Sequence, residues 1–223
     1  MSRALARPIT YLITGGETSS ASRPESGEFR RLLALVRAAV EARVTLVQLR
    51  EKGLDARALF GLAAAAARVA RGSGTRVLVN DRADVALAAG CDGVHLTTRS
   101  LEASVVRRAF GEGFLIGVSA HTFEEARAAR DGGADFAVFG PVFDTPSKRA
   151  YGPPVGLEAL AEAARELSPF PLVALGGVGV EQVGAVLRAG AAGVAGIRLF
   201  ADGQNLGRIV HHIGRTYGPS RAR

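Results

Sequence analysis

A closed parallel (β/α)8 barrel is the fold class this sequence predicts, on three observations. Eight short apolar runs recur along the chain. Each is followed by an Ala- and Leu-rich helical pattern. The apolar residues are also overwhelmingly aliphatic: hydrophobic residues make up 48% of the 223 positions, aromatics only 6%, and Trp is absent. A core of Val, Leu, Ile and Ala is the usual filling of a parallel sheet buried on both faces. The length suits one domain, residues 1–223, better than two.

The runs expected as strands are Ile9–Thr14, Val44–Arg50, Arg76–Asn80, Gly93–Leu96, Leu115–Ser119, Phe136–Phe139, Leu172–Leu175 and Gly193–Ile197. Eight is the strand number of the closed barrel. Between them, Phe29–Ala42 carries apolar residues at Leu32, Leu33, Val36 and Val40, one face of a helix. Leu59–Ala70, Val85–Ala89, Leu101–Phe110, Phe123–Arg130, Leu157–Leu167, Val180–Ala189 and Leu206–Ile213 complete the helices. Strict alternation argues right-handed crossovers between parallel strands. A joint recurs before three strands: Ala89-Gly90-Cys91-Asp92-Gly93-Val94, Gly132-Gly133-Ala134-Asp135-Phe136-Ala137 and Ala189-Gly190-Ala191-Ala192-Gly193-Val194. In each, a helix stops on Gly and the chain turns straight into a strand. An open doubly wound sheet could use the same joint, but eight runs without a dinucleotide fingerprint after the first favour closure.

The formal net charge is +7, which raises nucleic acid as a partner. The basic residues are mostly Arg, interleaved with Glu and Asp along helical segments and the tails, and aromatics do not alternate with them. No stacking platform for single strands is visible, so no nucleic-acid partner is expected. A positive field would instead attract small anionic substrates. The lone Cys91 has no disulfide partner in the chain and reads as a packing residue. No apolar run is long enough to span a membrane, and the start of the chain does not read as a signal peptide. A cytoplasmic protein is expected, and the sequence leaves a homo-oligomer open.

In such barrels chemistry collects at the carboxyl ends of the strands. There this sequence places Gln48-Leu49-Arg50-Glu51-Lys52, Asn80-Asp81-Arg82, His95-Leu96-Thr97-Thr98, Ser119-Ala120-His121, Gly140-Pro141 with Thr145 and Lys148 beyond, Gly176-Gly177, and Gly196-Ile197-Arg198. Polar residues and glycines thus gather at the strand ends while the strand bodies are apolar. Period two puts Gln48 and Arg50 on one face, where they serve either a ligand or bonds between strands. Asn80 and Asp81 either cap the following helix or serve a Mg²⁺ site, which needs one or two carboxylates plus substrate phosphates. His95 is expected in the core, His211 and His212 on the surface, and His121 at a helix start where it could transfer protons. No residue set has zinc-ligand spacing. Gly176-Gly177 and Gly193–Gly196 suggest a phosphate site at the last two strands, because glycine lets an anion approach backbone N–H groups. The loops Gly15–Gly27 and Pro141–Pro154 would lie on the same face.

These motifs, with Gly93-Val94-His95-Leu96, Gly117-Val118-Ser119-Ala120-His121, Gly140-Pro141-Val142-Phe143 and Ala174-Leu175-Gly176-Gly177-Val178, resemble those of the thiamine-phosphate synthase family and its sister, the thiazole tautomerases. The resemblance runs from about Ile9 to Phe200. It implies a synthase that joins a hydroxymethylpyrimidine diphosphate to a thiazole phosphate and releases pyrophosphate. Gln48 and Ser119 would then face the pyrimidine. Arg50, Lys52, Asn80 and Lys148 would hold the diphosphate, with Lys52 and Lys148 acting on the leaving group, and Asp81 would bind Mg²⁺. Thr145, Gly177 and the backbone near Ile197 would take the thiazole phosphate.

Two departures bear on that implication. Ser100, in Thr97-Thr98-Arg99-Ser100-Leu101, stands where the family carries a second metal-binding carboxylate, and Arg198 replaces the usual Ser after the last strand. Arg198 would either add a bidentate phosphate contact or fill part of the pocket. The Arg99-Ser100 pair looks more like the tautomerase branch, which would need no metal and would use His121 as general acid and base. The retained Lys52, Asn80, Asp81 and Lys148 favour the synthase, since a tautomerase has no diphosphate to hold. A barrel that binds a thiamin precursor without catalysis is a third reading.

Overall fold

The computed structural model describes residues 5–145 and 153–218. Eight parallel strands form a ring in strict chain order, the first hydrogen-bonded to both the second and the last. They are β1 Ile9–Ile13, β2 Leu46–Leu49, β3 Arg76–Asn80, β4 Gly93–Leu96, β5 Leu115–Ala120, β6 Phe136–Phe139, β7 Leu172–Ala174 and β8 Gly193–Gly196. The helices outside the ring are α1 Gly27–Glu41, α2 Ala56–Ala70, α3 Ala83–Ala88, α4 Ala103–Phe110, α5 Phe123–Asp131, α6 Gly156–Glu166, α7 Val183–Arg188 and α8 Leu206–Tyr217. The expected (β/α)8 barrel is the fold found.

Alternation along each strand divides the core in two. Val47 and Leu49, Val77 and Val79, and Phe139 with Ala137 face outward, where they pack beneath the helices with Leu32, Val36, Leu62 and Leu160. Ile9, Tyr11, Ile13, Leu46, Leu78, Phe136, Val138 and Val173 fill the inside of the ring. This is a packed plug rather than a pore. Tyr11 and Phe136 meet edge to face inside it, with ring centroids 5.5 Å apart.

Local chemistry sets several boundaries. Ser26, Asp55 and Thr122 cap α1, α2 and α5 by accepting the N–H groups of Phe29, Ala58 and Glu125. Asp55 is the reason α2 begins three residues before the apolar pattern does. The region expected as the helix Val180–Ala189 opens as a 3₁₀ turn, Val180–Gln182, where Gln182 folds back to accept the N–H of Gly179.

The recurrent joint before the strands has a role at the amino end of the ring. Asp92 accepts the N–H of Val77 at 2.8 Å and pairs with Arg76, while Asp135 accepts the N–H of Ile116 at 2.7 Å and pairs with Arg107. Arg107 also donates to the carbonyls of Gly111, Phe114 and Gly133, tying the α4–β5 and α5–β6 turns together. The third joint has Ala192 in the equivalent place and lacks the carboxylate.

Gly193 corrects one expectation. It sits beside Ile9 at the amino end of β8, so it cannot contribute to a phosphate site at the carboxyl ends. Cys91 is buried, with Sγ 3.6 Å from the carbonyl oxygen of Ala63, as a packing residue should be. His211 and His212 are exposed on α8. Among the described residues no helix is long and apolar enough to cross a membrane.

Candidate active site

The carboxyl ends of the strands bring together most of the residues singled out in the sequence. At the floor, Gln48 on β2 points into the ring and donates from Nε2 to the Tyr11 hydroxyl at 2.9 Å. His95 on β4 is also inside, edge to face with Tyr11 at 5.7 Å, and its Nε2 lies 3.0 Å from Ser119 Oγ on β5. Burial pulls the imidazole down to about 4, against a weaker opposing pull from Asp81, so His95 is neutral near pH 7. Burial likewise pushes the Tyr11 hydroxyl far upward and keeps it protonated. Tyr11, Gln48, His95 and Ser119 therefore make a neutral polar floor of donors and acceptors, suited to the edge of an uncharged heterocycle. His95 Nδ1 is buried without a partner.

Above the floor the rim carries charge. Arg50 is half-buried at the end of β2, and Lys52 lies exposed on the turn that follows. At the end of β3, Asn80 donates from Nδ2 to Asp81 Oδ2 at 2.6 Å, and its own Oδ1 is buried and unpartnered. Neither residue caps α3. Arg82 holds the cap position without a side-chain bond, which removes the capping reading. Asp81 instead turns across to the β4–α4 loop at φ 60. Its Oδ1 accepts from Thr97 N at 3.3 Å, from Thr97 Oγ1 at 3.2 Å, and from Ser100 Oγ. Ser100 thus stands on Asp81 as a hydrogen-bond donor, in a place where a second carboxylate would repel it.

The opposite side of the mouth is built from the ends of β6 to β8. Val142 and Phe143 donate their N–H groups to the carbonyls of Leu175 and Gly176, which zips the loop after β6 to the turn after β7. Gly177 is required there. It has φ 65, and a Cβ on it would lie 2.6 Å from Phe143 Cβ and 2.8 Å from the Asp144 carbonyl oxygen. The zipped loop brings Thr145, which is buried, to 3.2 Å from Arg198 Nη2. Arg198 opens a 3₁₀ turn directly after β8, beside the 37%-exposed Ile197. Short helices in this position are recurrent phosphate holders in (β/α)8 barrels.

His121 is exposed at the end of β5, and its Nδ1 is bonded to the carbonyl oxygen of Gly140 at the end of β6. A carbonyl can only accept, so Nδ1 carries the proton and a neutral ring keeps its Nε2 lone pair free. Lys148, expected at the diphosphate, lies outside the described residues.

Among the described residues no group of three or more His, Cys, Asp or Glu is placed to hold a metal ion. A Mg²⁺ site does not need one, because substrate phosphates and water complete an octahedron begun by a single carboxylate. Asp81 Oδ2, with one bond from Asn80, is a hard oxygen donor at an exposed position, and the buried, unpartnered Oδ1 of the adjacent Asn80 is a second. The residues present fit such an ion.

Two features escaped the sequence reading. Tyr11 was visible only as one member of an apolar run. Glu51 was visible only as the middle of a basic motif, yet it is 3% exposed and accepts four hydrogen bonds.

A closed barrel whose mouth has a neutral polar floor, a rim of Arg50, Lys52 and Asp81 on one side and a glycine turn beside Arg198 on the other has the layout of a (β/α)8-barrel enzyme. Comparison with known proteins narrows the class. A family model described as thiamine monophosphate synthase matches residues 11–200. A thiamine-phosphate synthase of Roseiflexus sp. (strain RS-1) is 42% identical over 187 residues, covering 84% of this chain and 75% of that protein. One from Moorella thermoacetica is 43% identical, covering 76% and 80%. The solved structure of thiamine phosphate pyrophosphorylase from Pyrococcus furiosus superposes with a TM-score of 0.74 at 28% identity, over 92% of this chain and 96% of that one. The chain belongs to the thiamine monophosphate synthase family and is an enzyme of thiamine biosynthesis.

Proposed function

We propose that the chain, as one barrel over residues 1–223, couples a hydroxymethylpyrimidine diphosphate to a thiazole phosphate and releases pyrophosphate. The observation that carries the reading is the division of the mouth into two unlike anion-facing sides with a neutral floor between them. That layout suits one substrate with a diphosphate and a heterocycle, and a second with a single phosphate.

Gln48 and Ser119 orient the pyrimidine ring from below, with Tyr11 and His95 fixing their rotamers. Arg50, Lys52 and Asn80 hold the diphosphate, and Lys148 joins them from the loop after β6. Asp81 would hold Mg²⁺, and the ion would supply further neutralisation of the leaving group's charge. Lys52 and Lys148 stabilise the charge that grows on the diphosphate as its bond to the pyrimidine methylene breaks. Thr145, Gly177, the backbone at Ile197 and the Arg198 guanidinium take the thiazole phosphate. This keeps the thiazole nitrogen aimed at the methylene carbon while a new carbon–nitrogen bond forms. The substrates are small and phosphorylated, and neither nucleic acid nor membrane takes part.

An assay with pyrimidine diphosphate, thiazole phosphate and Mg²⁺ tests this directly. Release of pyrophosphate together with thiamine phosphate is expected, and absence of both refutes the proposal. One observation favours a second reading, the metal-independent thiazole tautomerase: the free Nε2 lone pair on His121 suits a general base. Conversion of a thiazole carboxylate tautomer that is lost in His121→Ala, without coupling activity, would establish it.

A further inference from the structure

Glu51 lies between Arg50 and Lys52 in sequence, but unlike them it is fully enclosed. Its carboxylate is buried against the β1–α1 loop and bonded to it. Oε1 accepts from Thr14 Oγ1 at 2.5 Å and Gly16 N at 3.2 Å, and Oε2 accepts from Thr18 N at 3.1 Å and Thr18 Oγ1 at 2.7 Å. Four donors converge on it, and no cation is among them. Only an acceptor-only group meets four donors. A carboxamide would present an NH₂ to two of them.

The same bonds reach Arg50. The Thr14 hydroxyl that donates to Glu51 also accepts the N–H of Arg50 at 2.9 Å, so Arg50 N–H, Thr14 hydroxyl and Glu51 carboxylate form one relay. Gly16, held by Glu51, is the surface on which Arg50 rests. A Cβ on Gly16 would stand 3.4 Å from the Arg50 carbonyl oxygen and 3.7 Å from Nη1. On the far side, Thr18 presses its carbonyl against Gly53, where a Cβ would come within 2.4 Å. The turn that carries Lys52 is therefore braced by the same loop.

We infer that Glu51 is a positioning residue for the diphosphate side of the site: its buried carboxylate draws Gly16–Thr18 against the end of β2 and so fixes where Arg50 and Lys52 stand. The inference rests on the synthase reading for the ligand, not for the tether. Glu51 touches no substrate in this arrangement, and its effect passes through the two cations. The thiazole-phosphate side, built from β6 to β8, shares none of these hydrogen bonds and meets the loop only in van der Waals contact, Ile197 Cγ2 standing 3.8 Å from where a Cβ on Gly15 would be.

The test uses the full chain in four forms: wild type, Glu51→Gln, Thr18→Val, and Thr18→Ser as the conservative control that keeps the hydroxyl. In Glu51→Gln, KM for the pyrimidine diphosphate and the inhibition constant of pyrophosphate are expected to rise about tenfold or more, one charged hydrogen bond's worth of misplacement. The KM for the thiazole phosphate should stay within about twofold. Thr18→Val should follow in the same direction, and Thr18→Ser should restore wild-type values. Amide hydrogen exchange adds a readout independent of turnover: Gly16 and Thr18 should exchange faster in Glu51→Gln while the β6–β8 amides do not change. If both KM values rise together, or exchange at Gly16 and Thr18 is unaltered, Glu51 is merely structural and the inference fails. A wild-type chain without coupling activity would sink the synthase reading instead, and the exchange comparison would still decide the tether.

Discussion

Replacing Asp81 separates its charge from its shape. Asp81→Asn keeps the side-chain outline and the tolerance for the left-handed backbone found at φ 60, since Asn adopts that conformation readily. Its carboxamide oxygen can still accept from Thr97 and Ser100. Its NH₂ can meet Asn80, whose unpartnered Oδ1 becomes an acceptor if that amide turns over. The stability change should stay within about 1 kcal/mol. Asp81→Ala loses these bonds and places a Cβ-bearing residue of lower tolerance at positive φ. It should cost about 1–2 kcal/mol, roughly 1 from the backbone and the rest from the lost bonds, whose donors stand at an exposed site open to water. Activity should order the variants differently. Both remove the one carboxylate of the cluster, so both should lose about 100-fold or more in kcat/KM, near 2.7 kcal/mol of transition-state stabilisation. Pyrophosphate release measured against Mg²⁺ concentration, beside urea unfolding, resolves the two effects. An Asn variant that keeps wild-type activity with the wild-type Mg²⁺ dependence would refute the assignment of the ion to Asp81.

Other expectations concern the frame. Asp135→Ala leaves Arg107, at 11% side-chain exposure, facing an empty site, and should cost about 3–5 kcal/mol. The homologous Asp92→Ala, whose ion pair is 27–28% exposed, should cost only about 1–2 kcal/mol, and equal losses in chemical denaturation would contradict the burial argument. His95 titrates in the folded chain near 4 instead of its ordinary 6.5. The unfolded chain therefore binds the proton first, and the stability tied to a neutral His95 is complete above pH 6.5. It should fall by about 1.4 kcal/mol per unit as pH drops from there toward 4, a slope that urea unfolding of His95→Gln should lack. Arg43 sits at φ 57 just past α1, so Arg43→Gly should raise the unfolding midpoint, by about 0.5 kcal/mol in stability.

The barrel was readable because its evidence is periodic. Apolar alternation, helix faces and the Gly-containing joints each repeat eight or three times, so local ambiguity averages out. The candidate site was readable as a location, since polar residues gather at the strand ends, and Gln48, Arg50, Asn80, Asp81, Ser119 and Gly177 lie at or just past the carboxyl halves of their strands. What escaped was direction and partnership. Glu51 looks like one more charge beside Lys52, but the chain leaves β2 at that point and period two no longer says where a side chain points. The bond from Ser100 to Asp81 spans two loops, and spacing carries no trace of it. Gly193 was misplaced because the whole glycine-bearing run was assigned to the rim, whereas only the last residues of a parallel strand reach it and Gly193 is the first of β8.

Asp92, Asp135 and their arginines brace the ring at the end remote from the mouth. A builder would recognise the plan: hoops at the foot of a cask leave its lip free to be recut. Exchanges at the lip, such as at positions 100 and 198, leave those pairs untouched and so would not loosen its staves. New substrate preferences in this chain should therefore be sought by varying the upper loops while those two aspartates are left alone.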